Sequence, residues 1–152
     1  MDVHISYGQG GVLTSYGMYR LAQRIRALSG KLNVVTHNWY EHINLSDSPS
    51  ILIGYSLGAN SVTWNAANGQ PVALAVCYDP SILGVVVQPK ANIKRLLLYH
   101  NNSFEPLGHL RFTGRQVETT EVSTSHLLVC YDEDLHVKTL AAIAKVLTDA
   151  LS

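Results

Sequence analysis

Charge of either sign is scarce in this chain of 152 residues: Asp, Glu, Lys and Arg make up 14% of it, and 11 basic residues balance 11 acidic ones. No block of like charges and no basic stripe occurs, which excludes the electrostatic footprint of a protein that grips a phosphate backbone. No nucleic-acid partner is expected. Cysteine is nearly absent too. Cys77 and Cys130 sit inside apolar runs, without the close Cys/His spacing of a zinc site or a redox pair, so buried reduced thiols are expected. That usage fits a cytoplasmic setting. No segment approaches the ~18 apolar residues of a membrane span, and Met1-Asp2-Val3-His4 has neither the basic start nor the apolar run of a secretion signal. A soluble, unexported protein is expected. Repeats, low-complexity stretches and linkers are also missing, so residues 1–152 read as one domain.

What the chain does have is apolar residues, 47% of the total, enough for a core covered on more than one face. Short β-rich runs alternate with helical patterns from end to end, which predicts an α/β three-layer sandwich with a mostly parallel sheet of about six strands. The strands fall at Val3 to Ser6, Asn33 to Thr36, Ile51 to Ile53, Val72 to Tyr78, Ile93 to Tyr99 and, more polar and nearer an edge, Gln116 to Val122. The first helix carries Met18, Leu21, Ala22, Ile25 and Leu28 at helical spacing and ends at Gly30. A short helix covers about Ala59 to Ala67, and a terminal one turns Val137, Leu140, Ala141, Ala144, Leu147 and Leu151 to one face.

One motif carries chemistry. Gly54-Tyr55-Ser56-Leu57-Gly58 follows the apolar strand Ile51-Leu52-Ile53 and opens a helix. A serine at a sharp strand-to-helix turn has its hydroxyl lifted out of the sheet, and the turn is too tight for side chains two residues before and after it. Gly54 and Gly58 supply that room. The helix start points at the serine, so the Leu57 N–H is placed to donate to an oxyanion. The pattern by itself also describes an ordinary turn; its position between strand and helix favours Ser56 as a nucleophile.

The stretch Gly54 to Asn60, GYSLGAN, resembles the nucleophile elbow of the α/β-hydrolase superfamily, the esterases and lipases. The likeness extends over most of the chain in element order, although only the elbow is specific. The family's usual sheet has eight strands. This chain lacks the first two and is similar to minimal cutinase-like and phage-encoded esterases. The resemblance implies a chain order of nucleophile, acid, histidine, with the histidine between the last strand and the terminal helix; His126 stands there. His136 is its rival, beside Asp132, Glu133 and Asp134 at the start of the terminal helix, where a solvated or capping role is expected. His100 and His109 are placed to line the mouth of the site; His4, His37 and His42 carry no signal above structural or surface roles.

The family's acid usually follows the next strand, but His100-Asn101-Asn102 offers no carboxylate there. Asp79, in Cys77-Tyr78-Asp79-Pro80, resembles the known alternative placement after the strand beside the elbow; its plain reading is an Asp-Pro turn, and Glu105 and Asp132 are fallback acids. Tyr7-Gly8-Gln9-Gly10-Gly11 resembles the family's His-Gly-X oxyanion loop with tyrosine for histidine, which makes the Gln9 N–H the second donor. Read instead as a phosphate cradle, the same loop lacks the lysine of a P-loop.

The implied activity is hydrolysis of a small-molecule carboxylic ester or thioester by Ser56, His126 and Asp79, with the backbone N–H groups of Gln9 and Leu57 as oxyanion hole. That chemistry requires no metal and no organic cofactor. An acyltransferase with the same triad, or a silent binding module on the same fold, are the other readings. The pocket walls are expected from loops 37–47 and 104–113, with Tyr16, Trp39, Tyr40 and Phe104 pointing to an apolar acyl or aromatic group.

Overall fold

The computed structural model describes residues 1–102 and 110–152. The apolar runs form β1 (Asp2–Ser6), β2 (Asn33–His37), β3 (Ser50–Tyr55), β4 (Val72–Tyr78), β5 (Leu96–Asn101) and β6 (Val117–Val122). Between and after them lie α1 (Tyr16–Leu28), α2 (Leu57–Ala66) and α3 (Glu133–Asp149), with 3-10 turns at Gly11–Leu13 and Val129–Tyr131. The strands pair in parallel in the order β2-β1-β3-β4-β5-β6.

Side chains alternate across the sheet. Val3, Ile5, Ile51, Ile53, Leu74 and Val76 face α1 and α3, while Leu52, Ala75, Cys77, Leu96 and Leu98 face α2. The middle strands are therefore buried on both sides, as their unbroken apolar runs require; each buried Ile or Leu contributes roughly 1.5–3 kcal/mol relative to an exposed one. The edges are dressed with charge. On β6, Glu118 holds Arg95 at 2.6 Å, and Glu121 holds both Arg111 and His100 at 2.7 Å. Among the described residues no helix is long and apolar enough to cross a membrane.

α3 departs most from its sequence pattern. It buries Leu135, His136, Thr139, Ala142 and Ile143, whereas Val137 and Leu151 are exposed. Leu140 and Leu147 of the expected face pack, partly buried, against the core, but the buried stripe is rotated from the one hydropathy gives because two polar residues on it are satisfied internally. The Thr139 hydroxyl lies 2.7 Å from Tyr78 Oη and 3.1 Å from Tyr99 Oη, and His136 Nε2 donates to the Cys130 carbonyl at 2.7 Å. Burial pushes the Tyr99 phenol up to about 12 and that of Tyr78 far above its ordinary value, so both remain neutral donors. Smaller differences follow from backbone pairing. Ile93 makes only an isolated bridge to Val72, and the continuous ladder of β5 on β4 begins at Leu96. α1 closes through extended Ser29 (φ −163°, ψ 134°), with Gly30 outside the left-handed region.

The chain leaves β1 for β2 on one side and returns to β3 on the other, so the loops after β1 and β3 part in opposite directions at the strands' C-terminal ends. Such a switch point opens a crevice. The glycine-rich loop and the serine turn both emerge at it.

Candidate active site

β3 passes into α2 through Ser56, whose φ of 55° and ψ of −122° are strained for a residue with a Cβ. The Ser56 N–H donates to the Tyr78 carbonyl at 3.0 Å, tying the turn to β4. A Cβ at Gly54 would lie 2.1 Å from the Gly58 carbonyl oxygen; one at Gly58 would lie 2.2 Å from that of Ser6 and 2.6 Å from that of Tyr7. All these neighbours are backbone and cannot rotate away. Gly58→Ala is therefore expected to lose at least about 3 kcal/mol of stability in denaturant titration; a loss below about 1 kcal/mol would contradict the tight packing of the turn.

The structure brings Ser56, His126 and Asp79 together. Ser56 Oγ lies 2.9 Å from His126 Nε2, and His126 Nδ1 lies 2.6 Å from Asp79 Oδ2. A carboxylate only accepts, so Nδ1 carries the proton and Nε2 is left to accept from the serine hydroxyl. Asp79 is fully buried just past β4 at φ 46°, a left-handed position aspartate tolerates. Its N–H donates to the Tyr99 carbonyl at 2.8 Å, and its Oδ1 accepts from the Asn101 N–H at 3.1 Å. The end of β5, which holds no carboxylate, thus supplies a main-chain donor to the aspartate on β4. Tyr55 Oη donates to the His126 carbonyl at 2.9 Å and pins the histidine loop from within the elbow.

Gln9 and Leu57, the two residues expected to offer backbone N–H groups, both line the cleft with the serine. Leu57 is the first residue of α2, where amides have no acceptor inside the helix. Gln9 lies in a loop held by several bonds: the Gly8 N–H donates to Ser15 Oγ at 2.9 Å, the Gly11 N–H to the Gly8 carbonyl at 3.1 Å, and the Thr14 hydroxyl to the Gln9 carbonyl. Gly8 faces Ser56 across a gap so small that a Cβ there would be 3.2 Å from the Ser56 Cβ. Gln9, Ser56, Leu57, Leu83, His126 and Leu127 line a cleft of about 290 Å³. A larger depression of about 550 Å³ at the opposite, N-terminal ends of the strands, lined among others by Met1, Val72, Lys94 and Arg115, is lined by neither serine nor histidine.

Other residues singled out in the sequence lie elsewhere. His100 is not among those lining the cleft: it is buried on β5 and bonded to Glu121. Asp132 caps α3, accepting from the Leu135 N–H at 3.2 Å and from the Thr124 hydroxyl at 2.8 Å. His4 and His37 meet at 2.9 Å, with Glu41 3.1 Å from His37, on the β1–β2 side. His42 stacks on Trp64. Loop 37–47 does not wall the cleft either; its Ile43 and Leu45 are buried against the α2 face. Tyr16 stacks on Tyr19, and Trp39 meets Tyr40 edge to face, all four outside the cleft lining. Phe104, Glu105 and His109 fall outside the described residues. Sequence reading passed over Ser15, Tyr55 and Asn60, which brace the loops around the site through bonds to backbone, one each for Ser15 and Tyr55 and three for Asn60. Of these, Tyr55 and Asn60 stood within the quoted motif.

His136 is buried, not solvated. Burial lowers its pKa below the ordinary 6.5; the Cys130 carbonyl opposes this and the Arg24 and Arg20 charges add to it. His4 is lowered in the same direction by burial and by His37. A histidine that resists protonation when folded yet takes a proton when unfolded weakens the fold as pH drops below about 6.5. Melting temperature is expected to fall between about pH 7 and pH 5, and His136→Gln to flatten part of that slope; an unchanged slope would remove His136 from the account. Burial also raises the Cys130 thiol to about 11 and the Cys77 thiol further, leaving both protonated.

No protein-family profile and no curated protein sequence matches the chain. Among solved structures, it is similar to a candidate hydrolase of the alpha/beta superfamily from Xanthomonas campestris pv. campestris, with 13% identity and a TM-score of 0.61 over 97% of this chain and 98% of that one. The chain has the α/β-hydrolase fold, in a six-stranded parallel form.

Proposed function

We propose that this α/β-hydrolase-fold chain is a serine hydrolase that cleaves a carboxylic ester or thioester through an acyl-enzyme. The observation that carries this reading is the hydrogen-bonded chain from Ser56 through His126 to Asp79, 2.9 and 2.6 Å long, built on a strained turn. A serine hydroxyl is a weak nucleophile at neutral pH and reacts when an oriented imidazole takes its proton.

In the proposed cycle Ser56 Oγ forms a bond to the carbonyl carbon while its proton passes to His126 Nε2, and the carbonyl electrons move onto the oxygen. The N–H groups of Leu57 and Gln9 face that oxyanion, each such donor being worth roughly 10²–10³ in rate. Buried Asp79 stabilises the imidazolium without taking its proton. Collapse breaks the carbon–oxygen or carbon–sulfur bond, and the leaving group receives the proton from Nε2. Water then attacks the acyl-serine, giving one proton to His126, and the acid departs as Ser56 recovers its hydrogen.

Stopped-flow mixing with p-nitrophenyl acetate tests the reading. A burst of one p-nitrophenolate per chain, followed by slower turnover, is expected of the wild type and no burst of Ser56→Ala. A folded wild type that releases nitrophenolate no faster than Ser56→Ala would overturn it.

A further inference from the structure

The depression at the N-terminal ends of the strands is larger than the serine cleft, about 550 Å³ against about 290 Å³, and no step of the proposed cycle uses it. It opens where β4, β5 and β6 begin, beside the last turns of α3. A small-molecule site occupies roughly 300–1,000 Å³, so the volume suits one. Neither serine, histidine nor cysteine lines it, which leaves binding as what it can do. β3 runs from Ser50, next to Pro49 of this wall, to Tyr55 of the cleft, which separates the two hollows by roughly 17 Å along the sheet.

Its wall carries more positive charge than negative. Lys94, Arg95, Arg115 and Lys145 stand in it with Glu118 and Asp149. Glu118 takes Arg95 through two bonds of 2.6 and 2.8 Å, and Asp149 lies 3.4 Å from Lys145. Lys94 and Arg115 are left with no acid partner among the described residues. Leu96 pairs with Val117 where β5 meets β6, and Lys94 and Arg115 each stand two residues before that pair, at one level of neighbouring segments. Like charges side by side across a sheet repel. The C-terminal end of α3 adds roughly half a negative charge, too little to offset two cations.

Most of the remaining wall is apolar, with Pro71, Val72, Ala73, Val146 and Ala150 in it. Its two amide side chains are engaged with backbone: Asn92 Nδ2 donates to the carbonyls of Ala66 at 2.8 Å and Gln70 at 2.6 Å, and Gln116 Nε2 to that of Lys90 at 3.2 Å. The backbone is paired as well, since the Val72 N–H donates to the Asn92 carbonyl at 3.0 Å and the Val72 carbonyl accepts from the Lys94 N–H at 2.8 Å. The donors left for a ligand are the two unpaired cations. A neutral polar molecule gains little here, and a small inorganic anion leaves the apolar wall in water.

We infer that this depression is a second binding site, for an apolar monocarboxylate whose aliphatic or aromatic body lies on Val72, Ala73 and Val146 and whose carboxylate is held by Lys94 and Arg115. The guanidinium offers a carboxylate two parallel N–H groups and the ammonium a point charge, so one anion neutralises both and removes their repulsion. Burying the body against the apolar wall supplies the rest of the affinity. The site stands at the far end of the sheet from Ser56 and takes its ligand whatever chemistry the cleft performs.

Calorimetric titration of the full-length protein with sodium octanoate at low ionic strength tests this. One saturable site per chain is expected, with octan-1-ol, which lacks the charge, and inorganic phosphate, which lacks the tail, each binding at least about tenfold more weakly. Lys94→Gln combined with Arg115→Gln, both at exposed positions, is expected to raise the octanoate Kd by about tenfold or more without lowering the melting temperature. Lys94→Arg combined with Arg115→Lys keeps both charges and is expected to hold the Kd within a few fold of the wild type. No saturation below about 10 mM octanoate, an unchanged Kd in the glutamine variant, or octan-1-ol or phosphate binding as tightly as octanoate would each overturn the inference. So would a dimer in sedimentation that the glutamine changes dissolve, since the face would then belong to a second copy of the chain.

Discussion

Ser56→Ala and His126→Ala are each expected to lower kcat for ester hydrolysis by roughly 10⁵–10⁶, and the double variant to lose little more than either alone. Both losses arise because the two side chains act as one unit across a single 2.9 Å hydrogen bond. Without the imidazole, the serine proton has no acceptor; without the serine, the imidazole has nothing to activate but water. What remains in all three variants is binding and the proposed oxyanion donors, the N–H groups of Gln9 and Leu57, worth the same in each. Progress curves on an activated ester measure the cycle. Additive losses would mean that Ser56 and His126 serve separate steps.

Asp79→Asn is expected to lower kcat by about 10⁴ while leaving the fold intact. The direction follows from which oxygen faces which donor. Oδ1 accepts from the Asn101 N–H and Oδ2 from His126 Nδ1. In the asparagine variant the amide oxygen stays opposite the Asn101 N–H, because an NH₂ there would face another donor. The NH₂ group then faces Nδ1 and donates to it, so the imidazole proton moves to Nε2. An Nε2–H cannot accept from Ser56. Circular dichroism should match the wild type, since the replaced group has almost the same volume. A loss of less than about tenfold would transfer the acid's role to another carboxylate; Asp132, engaged by Thr124 and the start of α3, is badly placed for it.

Much of the fold was legible because its signals are local. Runs such as Ile51-Leu52-Ile53 and Val72 to Tyr78 stay apolar without alternation, which only a strand covered on both faces tolerates. The elbow was legible for a steric reason: Gly54 and Gly58 stand where a Cβ would strike backbone. The edge placement of β6 followed from its polarity, later seen as pairing of its glutamates with Arg95, Arg111 and His100. α3 was misread in part because His136 and Thr139 are polar by composition and apolar by position, the His136 bond going to the carbonyl of Cys130 in the preceding turn and the Thr139 contacts to Tyr78 and Tyr99 far away in the chain. Loop 37–47 was misread in the opposite sense. Its aromatic and polar residues looked like a pocket wall, while Ile43 and Leu45 within it fill the core on the α2 side.

The candidate site shows the same division. Ser56 could be singled out from neighbours in sequence, and His126 from its place between the last strand and the last helix. The contacts that set their geometry link residues outside any one motif: Tyr55 to His126, Asn101 to Asp79 and Asn60 to Ser81 across the fold, and Ser15 to Gly8 within the loop after β1. Each joins a side-chain polar group to a main-chain one, and no period or motif announces such a pair. The cleft's leucines were equally silent, since exposure is a property of the folded loop and not of the residue.

Reaction with a fluorophosphonate probe, read by intact mass and peptide mapping, tests the central claim most directly. One adduct per chain, carried by Ser56 and absent from Ser56→Ala and strongly slowed in His126→Ala, is the result the account predicts; a well-folded protein that forms no adduct, or forms it undiminished in Ser56→Ala, would contradict it.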